Sequence, residues 1–239
     1  MREMRPLIDA HRGECGIPGL PAAERYRRAM GMGVDFVEID VRRTRDGTYV
    51  NYHDETTPLR RAISSTSYAD LRAELGTQMQ TVEEAFDLLM PEVRLHIDVK
   101  EPGYEGDIVG RTLARFDPSR FVITAEDEPV MRIKDEFPQL QVGLTLGHDM
   151  EGAPPWQVAR VRLSELFPHR RLQRCHADFV AAHAQLARAR VLSYCARGRM
   201  PAWVWTVDEE VEIARFLRDP RVAVLITNRP DIALRLSRA

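Results

Sequence analysis

Cysteine is scarce in this chain. Cys15, Cys175 and Cys195 are the only three in 239 residues. The number is odd and no pair has metal spacing, so neither a disulfide framework nor a zinc site is expected, and a reducing, cytoplasmic setting fits. Long apolar runs are also missing. The longest, such as Val222–Ile226, fall far short of the roughly 20 residues that cross a bilayer, so no stable membrane insertion is expected. The start, MREMRPLIDAHRG, lacks the apolar core of a secretory leader. Positive charge has no surplus. Against 36 acidic residues stand 34 Lys and Arg, a net charge of −2, so a nucleic-acid binder relying on a basic field is excluded as a leading reading. Lysine itself occurs only as Lys100 and Lys134. The first loop has no GxGxxG and no P-loop. What is present, 44% hydrophobic and 29% charged residues, suits a chain that buries a sizeable core.

Strand-like and helical patterns alternate along the whole length. The strand candidates are Leu7–His11, Asp35–Val41, Arg94–Lys100, Arg120–Ala125, Gln141–Leu146, Asp178–Ala181, Ala202–Val207 and Val222–Thr227. Amphipathic stretches lie between them at Ala22–Met32, Thr81–Met90, Gly106–Phe116, Glu128–Phe137, His183–Arg197 and Asp208–Arg218. The piece Gly152–Gln173 has room for a short helix. Thr81 and Glu84 form a capping box before AFDLL, and Gly198 is placed to stop its helix in a left-handed turn. Eight strand–helix alternations at this length predict a (β/α)8 barrel, a TIM barrel, over 1–239 as one domain. A doubly wound open sheet is the runner-up.

One segment breaks the alternation. Phe36–Thr44 and Thr48–His53 are both strand-like and flank Arg45-Asp46-Gly47, a strong hairpin cue. With Asp46-Gly47 at the centre of the turn, Asp40 falls nearly opposite His53. The hairpin extends from the second strand and returns His53 toward the carboxylates.

Glu38 and Asp40 are two apart on a strand and share a face. Two carboxylates there repel each other unless a cation or a proton joins them. Asp98, in LHIDVK, is a third acid on another strand, with Lys100 on the same face. Three oxygen ligands with room for water suit one divalent cation, Mg²⁺ or Ca²⁺. His11 ends the first strand and His53 the hairpin return. Imidazoles titrate near working pH, so the two rings suit a general acid and a general base. Arg12 offers a fork of donors for phosphate oxygens. Lys100 is a compact point charge in a chain that otherwise chooses arginine, although pairing with Asp98 alone would also account for it.

The segments LIDAHRG (Leu7–Gly13), FVEIDV (Phe36–Val41), TRDG, VNYHD (Val50–Asp54), TVEE, HIDVK (His96–Lys100), WTV and ITNRP (Ile226–Pro230) occur in this order. Together they resemble the glycerophosphodiester phosphodiesterase family nearly end to end. The resemblance implies a TIM barrel with its site at the strand C-terminal ends and a divalent metal on Glu38, Asp40 and Asp98. It also implies His11 and His53 as the acid/base pair, Arg12 and Lys100 on the phosphate, Trp205 walling the glycerol, and a small-molecule phosphodiester as substrate. Three departures bear on the substrate more than on the reaction class. The PENT-like run after HRG is replaced by Gly19-Leu20-Pro21-Ala22, so whatever holds His11 and Arg12 must come from elsewhere. The Ser-Phe that usually ends the fourth strand is Ala125-Glu126. The third metal ligand is aspartate in place of glutamate, as in the related spider-toxin phospholipase D branch, whose product is a cyclic phosphate.

Asp9, Asn51 and His96 each precede a proposed site residue by two positions. Strand parity therefore predicts a polar layer beneath the metal that orients the residues above it. His148 and His183 follow the fifth and sixth strands, which puts them near the mouth, and they are expected to be solvated in loops; Trp156 and Trp203 are expected in packing, and Cys15 as no nucleophile. The leading reading is a metal-dependent phosphodiesterase. The alternatives are a phosphodiester lyase releasing a cyclic phosphate and a non-catalytic phosphate-binding barrel. The oligomeric state is not legible.

Overall fold

A computed structural model describes residues 5–89, 93–148, 150 and 152–238. Eight strands run parallel: β1 (Leu7–Ala10), β2 (Phe36–Arg43), β5 (Arg94–Val99), β6 (Phe121–Ala125), β7 (Val142–Leu146), β8 (Phe179–His183), β9 (Ala202–Trp205) and β10 (Val222–Thr227). Pairing of β1 with both β10 and β2 closes the ring, which gives the expected TIM barrel. Two short strands, β3 (Tyr49–Asn51) and β4 (Gln80–Thr81), extend β2 in antiparallel pairing.

The helices pack outside. The first, α1, runs over Ala22–Met32 as the apolar spacing predicts, and stops where Gly33 turns left-handed. Between Val82 and Leu89, the buried residues Val82, Ala85, Phe86 and Leu89 recur at i, i+3, i+4 and i+7 and face the sheet. The predicted capping box forms reciprocally. Glu84 N–H donates to Thr81 Oγ1 at 3.1 Å, and Thr81 N–H to Glu84 Oε2 at 2.9 Å. The end predicted at Met90 lies outside the described residues. Among those described, no helix is long and apolar enough to cross a membrane. All three cysteines are buried and free.

The barrel interior is built in layers. Phe36, Val122, Phe179, Trp203 and Val224 belong to one apolar cluster at its floor. There Trp203 stacks on Phe179 at 4.6 Å and tilts against Phe36 at 5.0 Å, contacts worth about 1 kcal/mol each beyond their burial. Gly143 leaves the space Phe179 needs, since a Cβ there would lie 2.2 Å from the Phe179 ring. The next layer up is divided. Asp9, Glu38, His96 and Thr124 make a buried polar arc, whereas Ala181 and Ile226 make an apolar one. Thr145 on β7 stands at the join.

Several local expectations change. The hairpin loop is three residues long: Gly47 is left-handed at φ 82°, and Thr44 pairs with Thr48. This three-residue geometry moves the register by one, so Tyr52, not His53, faces Asp40, with Tyr52 N–H donating to Asp40 O at 3.0 Å. β1 ends at Ala10, and His11–Gly13 form a 3₁₀ turn above it. Gly198 is the last helical residue, and Arg199 takes the left-handed position instead, because Met200 N–H reaches back to Cys195 O at 2.9 Å. Gly152–Gln173 holds the whole of one helix, Pro155–Leu166, and most of a second, His169–Cys175.

Candidate active site

Strand register brings the three acids together. Asp40 on β2 pairs directly with Asp98 on β5, and Glu38 sits two residues below Asp40 on the same face. All three are buried, and one carboxylate oxygen of each lies within 4.8 Å of the others. Lys100 closes over them. Its Nζ is 2.7 Å from Asp40 Oδ1 and donates to Asp98 Oδ2 as well. The ionisation follows from this pairing. Burial raises the Asp40 and Asp98 carboxyls, but Lys100, joined by His53 and Arg12 at Asp40 and by Thr124 at Asp98, holds both below the usual range. The same acids keep the buried ammonium charged. In Glu38 burial wins over the attraction of His11, and its carboxyl is raised.

The turn after β1 is shaped by its residue types. Arg12 and Gly13 are both left-handed, at φ 52° and 64°. Gly13 admits no side chain, because a Cβ would fall 2.2 Å from the buried Tyr26 ring. The turn aims Arg12 N–H at Glu38 Oε2, at 2.9 Å, and brings Arg12 Nε within 3.5 Å of Asp40. His11 Nδ1 meets Asn228 Oδ1 at 2.8 Å, and Asp208 in turn accepts from the Asn228 amide and backbone at 2.7 and 2.8 Å. An amide oxygen accepts only, so Nδ1 carries the hydrogen and Nε2 is left facing Glu38, 3.7 Å away. In this chain, then, Asn228, Asp208 and Glu38 hold His11 and Arg12 in place.

His53 lies just past β3. Its carbonyl accepts from the buried Arg42 guanidinium at 2.9 Å, which pins the hairpin return. Its Nδ1 meets Asp54 Oδ1 at 2.7 Å. Burial, helped by the Lys100 charge, lowers the pKa of this ring despite the attraction of Asp40 and Asp54.

The polar layer beneath the acids is connected. His96 Nδ1 bonds Asp9 Oδ2 at 2.6 Å, and its Nε2 bonds Thr124 Oγ1 at 2.7 Å. Thr124 donates onward to Asp98 Oδ1 at 2.7 Å. A hydroxyl has one hydrogen, so Thr124 can donate to Asp98 only while His96 Nε2–H donates to Thr124. Burial opposes the imidazolium, but Asp9 prevails and raises the His96 pKa to about 9. Asn51 Oδ1 accepts from Asp40 N–H at 3.1 Å, and its amide donates to Tyr26. Asn51 therefore acts on an acid directly, His96 acts through Thr124, and Asp9 reaches only His96.

Glu38, Asp98, Lys100, His11, Arg12, His53, His96 and Thr124 line a cavity of about 230 Å³ together with Trp205, Thr145 and His148. Trp205 forms its apolar wall, held by Nε1–H donating to Ala181 O at 3.1 Å. Every site residue expected from the sequence is therefore at one place, with Asp40 just beneath the lining. His148 lies at the mouth, as its place after β7 implies, but it is engaged there and not merely solvated. It lines the cavity and pairs through Nδ1 with Glu126 Oε1 at 3.1 Å, so the acid standing where Ser-Phe was expected has a partner at the mouth. This pairing holds the Glu126 carboxyl below its usual range. His183 caps the helix after β8 through its own ring, with Gln185 N–H donating to Nδ1 at 3.4 Å. Trp203 packs in the floor, but Trp156 does not pack. It stands exposed on a wider groove of about 950 Å³ that shares Lys100 and His148 with the cavity.

Thr124, Asn228, Asp208 and the Glu126–His148 pair were not found by sequence reasoning. Asn228 stood inside the ITNRP segment, which was the one available signal.

Comparison with known proteins places these residues in a family context. The sequence profile described as "Glycerophosphoryl diester phosphodiesterase family" matches residues 22–232. A curated relative from Caldanaerobacter subterraneus subsp. tengcongensis, named "Glycerophosphodiester phosphodiesterase", is 23% identical and covers 98% of this chain and 99% of its own. One from Mycobacterium tuberculosis, named "Probable glycerophosphodiester phosphodiesterase 2", is 29% identical over 87% of this chain and 81% of its own. Among solved structures, an Oleispira antarctica phosphodiesterase in complex with the product sn-glycerol-3-phosphate superposes with a TM-score of 0.77 at 17% identity, covering 98% of both chains. A Thermotoga maritima glycerophosphodiester phosphodiesterase gives 0.72 at 16% identity and 99% of both.

Proposed function

The chain belongs to the glycerophosphoryl diester phosphodiesterase family, and from that membership we propose that it hydrolyses glycerophosphodiesters to a phosphomonoester and an alcohol with a bound divalent cation. The observation that carries this reading is the convergence of Glu38, Asp40 and Asp98 beside two imidazoles, a guanidinium and an ammonium at one cavity. The acids fit a hard ion, because all three donors are carboxylate oxygens, buried, and close enough to share one centre. Bound there, Mg²⁺ or Ca²⁺ would polarise the phosphoryl oxygens and offset the developing charge.

The chain's own residues do the rest. Arg12 and Lys100 are the cations beside the place of the phosphate. His11 and His53 both engage an oxygen through Nδ1 and so present Nε2 to the substrate. One takes a proton from the attacking water or neighbouring hydroxyl, and the other returns a proton to the leaving alkoxide. Trp205 excludes water from the glycerol side. The leaving alcohol faces the wider groove past His148.

A diester panel assayed with and without chelator, read by phosphorus NMR, tests the proposal. An open monoester that appears only without chelator is the expected result. A cyclic phosphate as the final product would establish the lyase reading, which the shorter acid at Asp98 favours. Metal-dependent thermal stabilisation without turnover of any diester would leave a binding barrel.

A further inference from the structure

The cavity holds one buried oxygen that the mechanism does not use. Thr145 Oγ1 lines it, the residue is 6% exposed, and no hydrogen-bond partner for this atom exists among the described residues. Arg12 Nε is the other lining atom without a hydrogen bond, and the proposed phosphate contact uses it; His11 is engaged by Asn228, His96 by Asp9 and Thr124, and Asp98 by Lys100 and Thr124. A buried hydroxyl without a partner is destabilising. Valine would fill the same space in a strand and carry no such cost. The oxygen therefore has a use that the folded chain alone does not show.

Its position identifies that use. Thr145 pairs in register with Ala181 on β8, whose carbonyl holds the Trp205 indole. The acids lie on β2 and β5, across β6 from Thr145. A glycerol phosphate whose phosphoryl group sits at the acids and whose carbon chain lies on Trp205 carries its far end toward β7. We propose that Thr145 is a specificity-determining contact that hydrogen-bonds the terminal hydroxyl of the retained alcohol. The enzyme then selects diesters whose phosphate-bearing half ends in a hydroxyl. This rests on the phosphodiesterase reading above and names the half of the substrate that the cavity recognises.

The test compares glycerophosphocholine with its propane-1,2-diol counterpart, which keeps the neighbouring hydroxyl and lacks the terminal one. Wild type should prefer the glycerol form by about 10- to 100-fold in kcat/KM. Thr145→Val should lose about that factor on the glycerol form, change little on the propanediol form, and so abolish the preference. Thr145→Ser should retain it. Equal losses of Thr145→Val on both substrates, or no loss on either, would overturn the proposal. Thr145→Ala, which cannot overpack, repeats the comparison should the valine variant fail to fold. Absence of wild-type turnover on both diesters would remove the phosphodiesterase reading. The contact would then be judged by calorimetric binding of sn-glycerol 3-phosphate and propane-1,2-diol phosphate to wild type and Thr145→Ala. Equal discrimination by the two proteins would reject it.

Discussion

Replacing Thr124 by valine removes one oxygen and keeps the shape of the side chain. General rules favour the change, because a β-branched apolar residue gains a methyl group in a buried strand of high β-propensity. The hydrogen-bond chain reverses the sign. Thr124 Oγ1 sits 2.7 Å from His96 Nε2 and 2.7 Å from Asp98 Oδ1, and all three residues are buried. The added methyl fills the space a replacing water would need, so both neighbours lose a partner. Each orphaned group costs about 1–3 kcal/mol. Asp98 keeps Lys100 and His96 keeps Asp9, so the lower part of the range applies, and about 3 kcal/mol in total is expected. Thr124→Ser keeps the hydroxyl and loses one methyl, about 1 kcal/mol. Urea unfolding at pH 7 with chelator present should therefore rank wild type above serine, and serine above valine by about 2 kcal/mol, with unchanged m-values. Asp98 loses its orienting donor in the valine variant, so affinity for Mg²⁺ or Ca²⁺ should fall about tenfold. A valine variant as stable as the serine one would show that the chain from Asp9 to Asp98 does not support the site.

Other expectations follow from the same geometry. Glu38→Ala and His53→Ala should each lower turnover by at least about 100-fold, and wild-type rates in both would reject the site assignment. Asn228→Ala frees His11 Nδ1, and kcat should fall about tenfold or more with little change in KM; steady-state kinetics reads this directly. Gly13→Ala pushes a methyl into the Tyr26 ring at a left-handed position, so a loss of more than about 3 kcal/mol, or failure to fold, is expected in thermal melts. Burial raises the Cys195 thiol to about 11. At pH 8 its thiolate is present in about one molecule in a thousand, so alkylation should be slow in the native protein and fast once urea unfolds it.

How much was legible in the sequence depended on the range of the interaction. Glu38 and Asp40 were placed by parity within one strand, and the barrel by alternation repeated along the chain. Parity also placed Asn51 and His96, since each precedes a site residue by two. The fixed points of the network were not visible. Thr124 gains its role because β6 aligns it with Asp98, and no local pattern encodes that alignment. Asn228, held by Asp208, meets His11 only when β10 closes on β1. The hairpin register was off by one because a left-handed Gly47 adds a residue to the loop, and the Asp-Gly pair alone suits either length. The last helix, Pro230–Ser237, was missed although proline at a helix start is a recognised signal.

The divided interior of the barrel separates two kinds of change. Asp9, His96, Thr124 and Asp98 are tied to one another through hydrogens, and Glu38 to the Arg12 backbone, so altering one disturbs its neighbours. The side chains of Ala181 and Ile226 on the opposite side touch their neighbours only through van der Waals surfaces. Exchanging them for larger or smaller apolar residues reshapes the room left for the ligand and leaves the protons and charges where they are, so this arc is where new substrates can be accommodated while the chemistry stays intact.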